Sequence, residues 1–141
     1  MVHPDRDREP ACVPGAHRGE RRARPPYVVA AAVTVAINAF SGIAALLHWR
    51  AILPGMAKAD VPQSWLTFPI GTLKTAGAAG LLAGMVAQSP VLVVAAAIGL
   101  VLFFVCALFT HVRAGDYTGQ FFLAVFFLGM ACASLVLTLT A

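Results

Sequence analysis

The stretch PVLVVAAAIGLVLFFVCALFTHV, residues 90–112, contains no Asp, Glu, Lys or Arg. At a rise of about 1.5 Å per residue, its helix would be roughly 35 Å long. That length crosses the ~30 Å hydrocarbon core of a bilayer. Strands of a membrane barrel need only about 10 residues with alternating polarity, and this stretch does not alternate. It therefore predicts a transmembrane helix.

Three further runs are also apolar and of similar length, at residues 27–47, 68–87 and 120–140, and Lys74 is the single charged residue in them. The turns QSP and RAGDYTG separate the last three runs, so consecutive helices should run in opposite directions. The predicted fold class is an all-α membrane protein with four transmembrane helices in an antiparallel bundle. This domain would occupy residues 27–141.

Composition agrees with a bilayer as the natural solvent. The chain is 60% hydrophobic and 11% charged, whereas soluble domains carry about 25% charged residues. Half of its net charge of +4 lies in the tail over residues 1–26, which has almost no large apolar side chain and is predicted to be disordered. The basic residues are not interleaved with aromatic ones, which argues against nucleic acid and favours anionic lipid as the partner.

Lysine and arginine near the helix ends predict the orientation. The side that holds the N-terminus has Arg18, Arg21, Arg22 and Arg24. The opposite side has Arg50, Lys58 and Arg113. This bias places both termini in the cytoplasm, in a cytoplasmic (inner) membrane. A signal peptide is the competing interpretation of the first run, but about 21 apolar residues exceed the usual 7–15.

The connector over residues 48–65 contains two prolines and is bracketed by Trp49 and Trp65. Tryptophan favours the membrane–water interface. The centre of the connector, AILPGMAK, is predicted to form a short helix at that interface.

Lys74 is the most informative polar residue. On a straight helix it would lie roughly 13 Å below Trp65, too deep for its side chain to reach water fully. Ionisable residues at such depth face a cavity or a partner. One interpretation is a charge for an anion, a quinone carbonyl or a proton path. The other is a structural pair with an acid or a backbone carbonyl, and the sequence leaves both open.

The segment around the exit of the third helix places three polar residues, His111, Arg113 and Asp116, on the predicted outer side. His48 lies on the same side, so these residues are predicted to form the rim of a polar pocket with Lys74 as its floor. Individually each of the three has a plainer role. Arg113 would lie at the headgroups, His111 would be satisfied by local backbone, and Asp116 would lie in a turn where Gly115 ends the helix in a left-handed conformation. Haem ligation by His48 and His111 stays open, and no metal site is assigned.

Small residues predict where the helices approach closely. Gly77, Gly80 and Gly84 fall within roughly a 60° arc of the second helix, while Gly99 and Gly129 are available on the third and fourth. The cysteines at 106 and 132 should differ in depth by too much for a disulfide.

Two segments carry a resemblance to a known family. FPIGTLKTAGAAGLL and AAAIGLVLFFVCALFTHVRAGD resemble the DoxX-like membrane proteins of bacteria. The positions that match the family pattern are Gly71, Lys74, Gly77, Gly80, Gly99, His111, Arg113 and Asp116.

The resemblance implies a subunit of, or an accessory to, a quinone-linked redox system in the bacterial inner membrane, because the family name derives from a subunit of a thiosulfate:quinone oxidoreductase. The chain has no cofactor motif of its own, so quinone or an oxidoreductase partner would supply the redox chemistry. Two alternatives stay open: a scaffold whose glycines bind partner helices, and a small-solute carrier that uses Lys74. Whether the protein is an enzyme or a homo-oligomer is not decided by the sequence.

Overall fold

The structure is a computed structural model that describes residues 25–140. The described residues contain no strand and form five α-helices: α1 (Pro25–Leu46), α2 (Leu53–Lys58), α3 (Thr72–Val86), α4 (Pro90–Ala114) and α5 (Gly119–Leu139). The prediction of a disordered tail falls almost wholly outside these residues. At its boundary, the prolines at 25 and 26 already belong to α1, since proline is well tolerated in the first helical turn.

Three of the helices are long and apolar enough to cross a membrane: Pro26–Leu46, Pro90–Ala114 and Gly119–Leu139. Their outward faces carry large apolar side chains, such as Leu102, Phe109 and Phe122, each more than half exposed. In a bilayer, lipid tails would cover such a surface. In a soluble protein the same apolar surface would be exposed to water, which is unfavourable. The fold is therefore all-α, and the chain is a membrane protein.

Helix α3 is shorter than the sequence predicted. It has 15 residues, or about 22 Å, and begins at Thr72 rather than at Phe68. A one-turn 3₁₀ helix (Gln63–Leu66) and a wide turn (Thr67–Gly71) precede it, and Phe68 is extended, with φ −134° and ψ 128°. A residue before proline is driven away from the helical region. The prediction of one straight helix over residues 68–87 is therefore wrong at its N-terminal end.

Each of the four long helices packs against two others: α1 against α3 and α5, and α4 against α3 and α5. Along α3, Gly77 lies against Leu100 and Gly84 lies against Val93. Higher numbers on α3 therefore meet lower numbers on α4, so the two helices run in opposite directions.

Glycines on α3 allow its close approach to α4. A methyl group on Gly84 would lie 2.6 Å from a methyl of Val93 and 2.8 Å from its backbone nitrogen, and one on Gly80 would lie 3.0 Å from the Cβ of Ala96. In contrast, nothing lies within 4 Å of a methyl group built on Gly99 or Gly129. The three glycines of α3 thus face α4 of the same chain, whereas the other two predicted packing glycines face open space.

A polar contact joins α1 to α5. The hydroxyl groups of Thr34 and Ser134, both fully buried, are 2.9 Å apart. Asn38 and Thr138 donate to carbonyls of their own helices. Interhelical hydrogen bonds of this kind stabilise membrane bundles by about 0.6 kcal/mol each.

The connector between α1 and α3 folds over one end of the long helices. It contains the short helix predicted in AILPGMAK, found as α2. Met56 of α2 and Leu66 are buried with Ala45 of α1, and Gly55 lies against Gln120 at the start of α5. The connector therefore caps the end of the bundle that holds the α4–α5 turn.

Candidate functional site

A cavity of about 530 Å³ lies between α3, α4 and α5, and the connector closes one end of it. This volume is within the ~300–1,000 Å³ range of small-molecule sites. Most of its wall is apolar. The polar lining residues are few: Ser41, Trp65, Lys74, Cys106, Thr110, His111 and Gln120.

Lys74 lies at one end of this cavity and is buried, with 9% of its surface exposed. Its ammonium group donates a hydrogen bond of 2.7 Å to the hydroxyl of Ser41. It also lies over three aromatic rings, 5.9 Å from the centroid of Phe103, 5.3 Å from Phe104 and 4.7 Å from Phe127. A cation within about 6 Å of a ring centroid is attracted by the ring quadrupole.

No acid neutralises Lys74 within the described chain, where the only ion pair within 4.0 Å joins His111 to Asp116. An ammonium group has three donors, and Ser41 accepts one of them. The remaining donors have no hydrogen-bond partner among the described residues, and the cavity that Lys74 lines is largely apolar, where a hydrogen bond to an incoming oxygen is stronger than in water. This end of the cavity is suited to bind a carbonyl or an anionic oxygen.

His111 lines the other end of the cavity, close to the turn between α4 and α5. Its Nδ1 lies 2.8 Å from Oδ2 of Asp116. The backbone N–H of Thr118 donates to Oδ1 of the same carboxylate at 3.2 Å. Gly115, with φ 66°, ends α4, and the N–H of Asp116 donates to the carbonyl of His111 at 2.9 Å. This is the glycine helix stop expected from the sequence.

The Asp116 carboxyl has a lowered pKa. Burial alone would raise it, but hydrogen bonds from Thr118 and His111, with the charge of His111, outweigh burial and hold the pKa below its usual value. The ionised carboxylate is therefore the stable form at neutral pH, and it fixes the orientation of the His111 ring.

Replacing Asp116 with asparagine is expected to lower the melting temperature at neutral pH but not in acid. The pKa of Asp116 is lower in the folded protein than in the unfolded chain, where it has its usual value of 3.8. The carboxylate therefore contributes its full stabilisation above that usual pKa, and this stabilisation is lost as the pH falls through the pKa of the folded protein. Thermal unfolding in detergent from pH 7 to pH 3 measures this. Equal melting differences at both ends of that range would contradict it.

The structure does not bring all five predicted pocket residues together. Lys74 and His111 line the cavity, and Asp116 reaches it only through His111. Arg113 lines a separate, smaller cavity of about 140 Å³ that also contains Asp60. His48 is exposed, and its Nδ1 lies 3.1 Å from the carbonyl oxygen of Leu46.

The two cysteines of the described chain, Cys106 and Cys132, are both free. The described residues hold no cluster of His, Cys, Asp and Glu with the geometry of a metal site.

Comparison with known proteins gives a match to the DoxX-like family over residues 29–134. The chain belongs to the DoxX-like family. The matched range contains every residue that lines the main cavity of this DoxX-like protein. No curated protein and no solved structure gives a significant match. Together with the apolar helices, the family assignment establishes a multi-pass membrane protein.

The sequence interpretation missed the aromatic residues around Lys74. Phe103, Phe104 and Phe127 belong to apolar runs in which phenylalanine is typical of lipid-facing positions. Ser41 had a visible signal, because Thr34, Asn38 and Ser41 are spaced four and three residues apart, which places them on one face of α1. That polar face points into the bundle and ends at Lys74.

Proposed function

We propose that this DoxX-like protein binds a quinone-type molecule in the main cavity and serves as a subunit of, or an accessory to, a quinone-linked redox system of the bacterial inner membrane. One observation supports this above all others. A buried lysine without an acid partner in the described chain lies in a largely apolar cavity of about 530 Å³. A lipophilic ring with a carbonyl oxygen satisfies both the apolar wall and the ammonium group.

The exposure of the cavity wall supports entry of the ligand from the bilayer. Leu73, Leu102 and Leu123 line the cavity, and these residues are 43%, 61% and 50% exposed, so the cavity wall is open there. Gly99, another lining residue, has open space where a side chain would be. In a membrane this side of the molecule meets acyl chains. A lipophilic ligand would reach Lys74 without crossing water.

The proposal includes α3 as a fourth membrane-spanning element. Its 15 residues are too few to cross alone, but α3 packs along both α1 and α4, which are long enough to span. Together with the turns from Gln63 to Gly71, it would complete an antiparallel four-helix bundle with both termini in the cytoplasm. The connector, His111 and Asp116 would then lie on the outer side.

This topology makes a labelling prediction in a background without cysteine. Lys58→Cys in the connector is expected to react with a membrane-impermeant maleimide in intact spheroplasts. Ala87→Cys in the α3–α4 turn, the matched control, is expected to react only after permeabilisation. Both positions are exposed. Labelling of both from the same side would show that α3 does not cross, and the reverse pattern would invert the orientation.

The scaffold alternative is less well supported, because the glycines that it would use face α4 of the same chain. The carrier alternative uses the same cavity with an anionic solute at Lys74. Flux of an organic anion into liposomes that contain only this protein would favour the carrier.

The proposed function is tested by purification in mild detergent followed by mass spectrometry of the lipophilic molecules and proteins that accompany the chain. We expect bound quinone with the wild-type protein and with Lys58→Met, but not with Lys74→Met. A preparation without quinone that also fails to bind added quinone would overturn the proposal.

A further inference from the structure

The main cavity has a second polar end, opposite Lys74. Phe104 on α4 and Phe127 on α5 flank the ammonium group. His111 lies about two helical turns from Phe104 along α4, and Phe121 lies about two turns from Phe127 along α5. At about 1.5 Å per residue, both helices give a separation of roughly 10 Å. The ring of Phe121 packs against His111, with centroids 6.3 Å apart. The cavity therefore presents Lys74 near one end and His111 near the other, with a largely apolar wall between them.

The imidazole of His111 is held in one orientation. Asp116, which is buried, binds its Nδ1 and is itself fixed by the N–H of Thr118. The ring nitrogen that remains for a ligand is Nε2, and no hydrogen-bond partner for it is found among the described residues, while the residue itself lines the cavity. A carboxylate that binds one ring nitrogen sets the tautomer and presents the other nitrogen to a ligand.

We propose that His111 Nε2 is the second polar contact of the cavity ligand, which therefore carries an oxygen at each end of a flat apolar ring, as a ring dione or its diol does. This inference rests on the proposed function and narrows it. Lys74 donates to one oxygen, and His111 binds the other. A single-headed lipid, such as a fatty acid, would leave one of the two polar groups without a contact.

The chemistry of imidazole fits an oxygen that changes its hydrogen-bonding role. Neutral His111 with its proton on Nδ1 accepts at Nε2 and can bind a hydroxyl of the diol. The protonated ring donates at Nε2 and can bind a carbonyl of the dione. Lys74 can only donate. The two ends are thus not equivalent, and His111 is the end that accommodates both forms of the ligand.

The test compares 1,4-dihydroxynaphthalene, kept reduced under anaerobic conditions, with 1-tetralone, which keeps the fused rings and one oxygen for Lys74 but has no hydroxyl for Nε2 of His111. Trp65 lines the cavity and reports binding by fluorescence quenching, and Trp49→Phe removes the other tryptophan of the chain. We expect the wild-type cavity to bind dihydroxynaphthalene about tenfold more tightly than tetralone, the value of one hydrogen bond.

Substitution of His111 should remove this preference selectively. We expect His111→Phe to weaken dihydroxynaphthalene binding about tenfold and to change tetralone binding less than twofold, while His111→Gln, whose amide oxygen can accept from the hydroxyl, restores most of the affinity. Equal losses for both ligands, or none, would overturn the inference. If His111→Phe does not fold, equal wild-type affinity for the two ligands overturns it instead. Failure of naphthoquinone to bind the wild-type protein at all would reject the proposed function itself.

Asp116 acts through His111 and is a positioning residue. In protein with ¹⁵N-labelled histidine, the His111 signals are assigned by their loss in His111→Phe. We expect them to show a proton on Nδ1 in the wild-type protein and a mixture of tautomers in Asp116→Asn. The affinity for dihydroxynaphthalene should fall with that change, because fewer molecules then present Nε2 as an acceptor. A changed tautomer with unchanged affinity would show that His111 does not contact the ligand.

Discussion

Lys74→Met is expected to weaken quinone binding by about 10- to 100-fold while the protein still inserts and folds. A hydrogen bond from a charged donor in a protected site contributes about 1.5–3 kcal/mol, which corresponds to that range of affinity. Methionine is unbranched and similar in length, so the walls formed by Phe103, Phe104 and Phe127 keep their packing. The measurement is the dissociation constant of 1,4-naphthoquinone in detergent, from Trp65 quenching.

Stability should respond in the opposite direction. A cation at the centre of a membrane helix costs about 2.5–3.5 kcal/mol on insertion scales, and the contacts of Lys74 in the described chain are one hydroxyl and three rings. Removing the charge should leave stability unchanged or raise it. Lys58→Met, at an exposed position of α2, is the matched control for both measurements. A Lys74→Met protein that binds normally but unfolds readily would mark Lys74 as a structural residue.

The long helices could be predicted well because a single property, apolar length, determines them in a bilayer. Residues 90–112 were predicted for α4, which extends over Pro90–Ala114, and residues 120–140 for α5, which extends over Gly119–Leu139. Helix α3 was predicted less well, because Phe68 and Pro69 are apolar and match the pattern of a span. Pro69 drives the backbone of Phe68 away from the helical conformation, and a hydropathy pattern does not show this effect.

The site could be predicted only in part. Charge in an apolar run marked Lys74, and its burial follows directly from its position in the sequence. The sequence did not predict that His111 and Arg113 would lie in different cavities. They are two positions apart, so their side chains point about 200° apart around the helix. His111 therefore lines the main cavity, and Arg113 lines the smaller cavity. Which helix faces meet depends on the packing of α3, α4 and α5, and no local pattern encodes it.

Gly84→Leu is expected to destabilise the protein by about 2 kcal/mol and to weaken quinone binding. Overpacking costs typically 1–3 kcal/mol, and here the first atom of the new side chain would meet the backbone nitrogen of Val93 at 2.8 Å. Backbone cannot rotate away, so α3 and α4 must separate. Because Lys74 is on α3 and two of its rings are on α4, that separation disturbs the cavity as well. Unfolding with SDS in mixed micelles measures the stability.

The matched control is Gly129→Leu on α5, where a methyl group meets nothing within 4 Å. Glycine is about 1 kcal/mol less favourable than alanine inside a helix, so this change should be neutral or stabilising. If the two variants are equally stable, α3 and α4 do not pack through these glycines. If Gly84→Leu is stable alone but loses proteins that accompany the wild type, the glycines bind a partner helix, and the scaffold alternative replaces the cavity as the explanation of this chain.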